Sequence, residues 1–109
     1  MAKDWKLYAF HILDCIKKIR IIEKRGNILK DSILYDAAIR NLQTLSESTM
    51  HFPVCIKNEY PDVNWKAIKG FRNILVHAYL GEIDNAIVKE IITESLPALE
   101  KAIKEILCK

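Results

Sequence analysis

Trp5, Tyr8, Ile12, Cys15, Ile19 and Ile22 recur at intervals of three and four residues, the periodicity of one helix face turned toward a core. The pattern predicts a first helix that ends near Arg25-Gly26-Asn27, with Gly26 as its C-cap. A second helix is expected from about Asp31 to Met50, with Leu34, Ala38, Leu42 and Leu45 inward, before Pro53 interrupts it. A short helical piece near Val54 to Glu59 follows. Tyr60-Pro61-Asp62-Val63-Asn64 reads as a turn in which Asp62 or Asn64 caps the next helix. That helix begins near Trp65 and sets Phe71, Ile74, Leu75 and Ala78 on a core face, with Gly81 as its end. From about Asp84, Val88, Ile92, Leu96, Leu99, Ile103 and Ile106 form a last stripe that Pro97 should kink or split. No alternating strand pattern or repeat competes. The prediction is an all-α, antiparallel up-and-down bundle of four main helices plus a short one.

Composition supports this reading and narrows the chemistry. A chain of 109 residues, half of them hydrophobic and 28% charged, with three Gly and three Pro, suits one domain over 1–109 with long elements and few turns. The opening MAKDWKLYAFHILD mixes charge into its apolar residues, and no apolar run is long enough for a bilayer. A soluble, cytoplasmic protein with no membrane partner is expected. Cys15, Cys55 and Cys108 are odd in number and lack the paired spacing of a zinc site. They are expected to be reduced and mostly in the core, with no metal and no cofactor.

Net charge is only +3, but its location matters. Residues 64–80 hold Lys66, Lys69 and Arg72 and no acid, while the rest of the chain carries 14 basic and 14 acidic residues. On a helix, Lys66, Lys69 and Arg72 drift across the side that also bears Asn73 and His77, a basic strip suited to phosphate. Arg72 and Tyr79, seven apart, nearly eclipse one another on an adjoining strip. Taken singly, His77 is more often a hydrogen-bonded helix residue and Arg72 a surface cation. Their co-location with Asn73 and Tyr79 favours a site. His11 and His51 have no such company and read as structural. Asp31, Asp36 and Glu47 form no close carboxylate pair by spacing, and there is no Gly-rich phosphate loop or Ser-centred elbow.

The run Arg72-Asn73-Ile74-Leu75-Val76-His77-Ala78-Tyr79 resembles the R-N-x-x-x-H-x-Y signature of the HepT-like toxins of the HEPN superfamily. The resemblance extends over most of the chain, through AAIRNLQTLSES at 37–48, PDVNWKAIKGFRN before the motif and EIDNAIVKEIITESLPAL after it. One departure is Leu45-Ser46, where relatives tend to have an isoleucine-glycine pair, so the close packing of the second helix is open to change here.

The resemblance implies a HEPN-like fold and a metal-independent endoribonuclease. It also implies the toxin of a two-gene, type VII-like toxin–antitoxin system, working as a homodimer. RNA supplies its own nucleophile in the 2′-hydroxyl, so cleavage needs a base, an acid and cations for the phosphorane charge. His77 fits base or acid, Arg72 fits bidentate phosphate contact, and Asn73 could orient the imidazole or hold substrate. Lys66 and Lys69 would bind RNA. One motif histidine per chain is too few for both proton transfers, which an isologous dimer would solve by bringing two copies into one cleft. In relatives the motif tyrosine looks like the acceptor of AMP from an MntA-like nucleotidyltransferase antitoxin, a role that falls on Tyr79. The alternative is a non-catalytic helical module whose basic face docks such a nucleotidyltransferase and its nucleotide.

Overall fold

The computed structural model describes residues 5–77 and 85–108, with side chains at all of these except 75–77 and 85. Helix α1 runs Trp5–Arg25, α2 Ser32–Thr49, α3 Val54–Asn58, α4 Trp65–His77, α5 Asn85–Glu90 and α6 Leu96–Cys108. A π-helical turn, Ile91–Ser95, joins the last two. Among the described residues every regular element is helical. Gly81, expected to end α4, and Ala78, expected in its core face, lie outside the described residues.

Helix α1 follows its sequence stripe. Ile12, Cys15 and Ile19 are buried together with Ala9 and Ile16, while Trp5, Tyr8 and Ile22 pack against them from the margin. The reversal into α2 is built by Asn27, whose carbonyl accepts from the N–H groups of Lys30 and Asp31 and whose side chain accepts from Leu29 N–H at 2.9 Å. Asp31 then caps α2, accepting from Ile33 and Leu34 N–H at 2.9 and 3.2 Å, as a short polar side chain at this position should.

Gly26 does not act as the left-handed C-cap expected of it: no described glycine has a positive φ. Asn27 makes the turn instead, and what Gly26 supplies is space. A Cβ there would come within 2.9 Å of Leu34 Cδ1, so the bare backbone lets the start of α2 close onto the end of α1. At the other end of this antiparallel pair, Trp5 meets Phe52 edge-on at 5.5 Å and Tyr8 stacks on His51 at 4.0 Å.

Packing then spreads in two directions, α2 onto α4 and α1 onto α6. Ala38, Leu42 and Leu45 of α2 are buried, and Ser46, Ser48 and Thr49 are buried beside them. Each of these three hydroxyls donates to a carbonyl three or four residues earlier in its own helix, which satisfies it without a partner from a neighbouring element. Ser46 can thereby stay fully buried where the relatives tend to have glycine.

Of the two candidate caps for α4, Asn64 takes the role. Its side chain accepts from Ala67 N–H at 2.9 Å and its carbonyl from Ile68 N–H at 3.1 Å.

The final stripe buries Val88, Ile92, Leu96, Leu99, Ile103 and Ile106 as expected, along with Ile91 and Ala102. Pro97 splits it through the π-turn rather than a kink. Proline has no N–H for the carbonyl of Thr93, and the backbone widens just ahead of it so that Leu96 N–H reaches Ile91 O, five residues back. The cysteines divide differently from expectation: Cys15 is buried, but Cys55 and Cys108 are exposed, because α3 buries no residue fully and Cys108 is the last residue of α6. No described helix is long and apolar enough to cross a membrane.

Candidate functional site

The site is built on α4, and Trp65 sets where that helix lies. Its ring is tilted against Phe52 at 6.0 Å, and its indole N–H donates to the carbonyls of both Lys57 and Tyr60 at 3.1 Å. Two acceptors on one N–H fix the ring to the end of α3. One turn further on, Ile68 and Phe71 are each 3% exposed and turn that side of α4 into the core.

Winding α4 at roughly 100° per residue puts Arg72 about 70° to one side of the core direction and Ile74 about 90° to the other. The structure agrees with both placements. Ile74 was expected in the core stripe but is 39% exposed, since the buried face is centred on Ile68 and Phe71. Arg72 lies at the boundary with α2. Its Nε is 3.8 Å from Glu47 Oε1, and Nε itself is buried with no hydrogen-bond partner. The carboxylate therefore balances the charge from just beyond hydrogen-bond length. From the other side, Arg72 Nη1 donates to Asn73 Oδ1 at 3.3 Å.

The guanidinium thus makes one hydrogen bond, from Nη1, and has a carboxylate beside Nε at ion-pair distance, which orients a planar group of the kind that binds anions. Asn73, expected to steer the histidine or substrate, engages Arg72. Lys66 and Lys69 are exposed on the preceding turns, and neither forms an ion pair among the described residues.

His77 is the last residue of α4, five residues and about 7.5 Å along the axis from Arg72; its side chain lies outside those described. Tyr79 lies outside the described residues altogether. His51, assigned a structural role, is stacked on Tyr8 with an interplanar angle of 7°, while His11 is exposed on α1. No three of the described His, Cys, Asp and Glu residues gather into a metal-binding group.

Two contributors were missed by sequence reasoning. Glu47 reaches Arg72 across 25 positions and a helix boundary, which no local spacing announces. Lys57 comes to the α4 lysines through the fold of the Tyr60–Asn64 turn. Partial burial and the nearby charge of Lys69 both hold its pKa below the usual lysine value.

A family model described as Ribonuclease HepT-like matches residues 12–106. The chain belongs to the HepT-like ribonuclease family. Among its relatives, a candidate RNase of Caldanaerobacter subterraneus subsp. tengcongensis is 35% identical, over 94% of this chain and 93% of the relative. A protein of Thermococcus cleftensis named as a probable ribonuclease HepT is 26% identical over 92% of this chain and 93% of its own length. A Methanocaldococcus jannaschii protein, named for a gamma-glutamylcyclotransferase and a candidate RNase, is 29% identical over 98% of this HepT-like chain. The match spans only 49% of that longer protein. No solved structure gives a significant match.

Proposed function

We propose that this HepT-like chain is a metal-independent endoribonuclease that acts as a homodimer, the toxin of a two-gene toxin–antitoxin pair. The observation that carries the reading is Arg72, held from both sides by Glu47 and Asn73 on the acid-free basic helix that also bears His77. Such a guanidinium is ready for a phosphate before substrate arrives, so little is lost in ordering it.

In the proposed reaction the base removes the 2′-hydroxyl proton and that oxygen attacks the adjacent phosphorus. A 2′,3′-cyclic phosphate forms as the 5′-oxygen leaves with a proton from the acid. Arg72 neutralises the phosphorane oxygens. His77 of one protomer would act as base and His77 of the second as acid, in a cleft on the two-fold axis. Exposed Ile74, on the same helix as the motif, is apolar surface that such a contact would cover. Family names that refer to RNases agree with the chemistry. Tyr79 is proposed as the acceptor of AMP from a nucleotidyltransferase antitoxin, encoded beside the toxin.

Cleavage of total cellular RNA by wild type, Arg72→Ala and His77→Ala, with circular dichroism on each, tests the proposal. Each variant should keep its helix content and lose cleavage by at least about a hundredfold, the usual worth of an acid–base or oxyanion group. Full cleavage by folded His77→Ala would instead leave a docking module for the nucleotidyltransferase.

A further inference from the structure

Trp65 ties α3 and α4 into one unit, because its indole N–H is shared between the carbonyls of Lys57 and Tyr60. Above the same ring lies the Lys57 ammonium, 5.9 Å from the centroid. The ring thus holds a cation from α3 against the helix that carries Lys66, Lys69 and Arg72. Lys66, Lys69 and Arg72 advance about 4.5 Å along α4 at each step, and Lys57 adds a charge near enough to Lys69, the middle member of that row, to act on it.

None of the three lysines has an ion-pair partner among the described residues, although the chain has 14 acids to offer. Four cations from two elements are gathered, and of these only Arg72 has an ion-pair partner among the described residues. Like charges brought this close cost free energy in the free protein: after burial, which is the larger cause, the charge of Lys69 further lowers the Lys57 pKa. A polyanion lying along the row would remove that cost. A single phosphate would satisfy only one end.

We infer that Lys57, with Lys69 and Lys66, forms a phosphate track for single-stranded RNA that begins at Arg72 and continues off α4 onto α3, so that nucleotides flanking the scissile bond are bound there. The inference rests on the nuclease reading for its ligand, yet it can fail independently. Its chemistry is backbone contact: lysines present point charges to phosphate oxygens, tolerate any base, and release counterions on binding.

The test uses Lys57→Gln, which keeps much of the stem over Trp65 and removes the charge, with Lys57→Arg as the charge-retaining control. Binding of a fully 2′-O-methylated oligoribonucleotide, which cannot be cleaved, is measured across a salt series for the whole protein. Lys57→Gln should bind about three- to tenfold more weakly near physiological salt and lower the salt slope by about 0.7, the value for one phosphate of a single strand. Lys57→Arg should bind as wild type does. On a cleavable RNA the loss should fall on KM, with kcat unchanged.

Equal binding and equal salt slope for Lys57→Gln and wild type would overturn the inference. So would unchanged RNA binding together with lost association with an acidic protein partner, which would assign the surface to protein docking. If wild type binds the oligonucleotide in a Lys57-dependent way but cleaves no RNA, the track stands and the nuclease reading falls. Cleavage by both proteins with the same KM has the reverse meaning.

Discussion

Arg72 Nε and Glu47 Oε1 stand 3.8 Å apart across the α4–α2 contact, close enough to balance charge and too far to share a proton firmly. Glu47 is about half exposed and Arg72 about one-third, so the pair contributes on the order of 0.5 kcal/mol to stability. In the proposed reaction its role is to aim the guanidinium. Glu47→Ala is expected to leave the thermal midpoint within a few degrees of wild type while lowering kcat on RNA about tenfold, with Glu47→Asp partly restoring it. A rise in activity would show the carboxylate to be a competitor for Arg72 and not a support.

The proposed chemistry draws every charge from side chains. Cleavage should therefore persist in excess chelator and fall steeply with added salt, because phosphate contact releases counterions. Loss of activity in chelator, restored by a divalent cation, would contradict it. Rate measurements across a salt series with and without chelator make both comparisons.

Tyr79 stands seven residues beyond Arg72 in the sequence motif. If the proposed nucleotidyltransferase antitoxin acts on this chain, co-expression with it should add one or more AMP units to the chain mass, with Tyr79 among the labelled positions. An AMP there would bring about one negative charge to the strip proposed to receive RNA. Tyr79→Phe should keep nuclease activity and escape part or all of the neutralisation. Mass spectrometry reads the first result and growth inhibition the second.

The three thiols are expected to behave as two classes. Exposed Cys55 and Cys108 should react promptly with a thiol-exchange reagent, whereas Cys15 should react only as the fold opens. Burial, and secondarily Asp14, push the Cys15 thiol above its ordinary 9.0. Between 9.0 and the raised value the unfolded chain has lost this proton and the folded one keeps it, so the thiol's contribution to stability falls as pH rises through that window. Denaturant midpoints at about pH 8 and about pH 10 should therefore drop more for wild type than for Cys15→Ala. Lys57, which shifts in the opposite direction, is common to both proteins and cancels.

Local order determined much of this molecule. A helix face is written at intervals of three and four residues, so the stripes of α1, α2 and the final segment, the Asp31 cap and the break before Pro97 could be read from neighbours in the chain. The motif of the HepT-like family was legible for the same reason, since Arg72, Asn73, His77 and Tyr79 lie within eight positions.

What the sequence could not give depends on how helices cross. Periodicity places Ile74 near the core stripe of α4, but the crossing with α2 and the pinning of Trp65 rotate the buried face onto Ile68 and Phe71 and leave Ile74 at the surface. The same crossing brings Glu47 to Arg72, and the double acceptor on Trp65 brings Lys57 to Lys69. Such pairs are separated by 12 or 25 positions, and their meeting is set by side-chain packing between elements, which has no period along the chain.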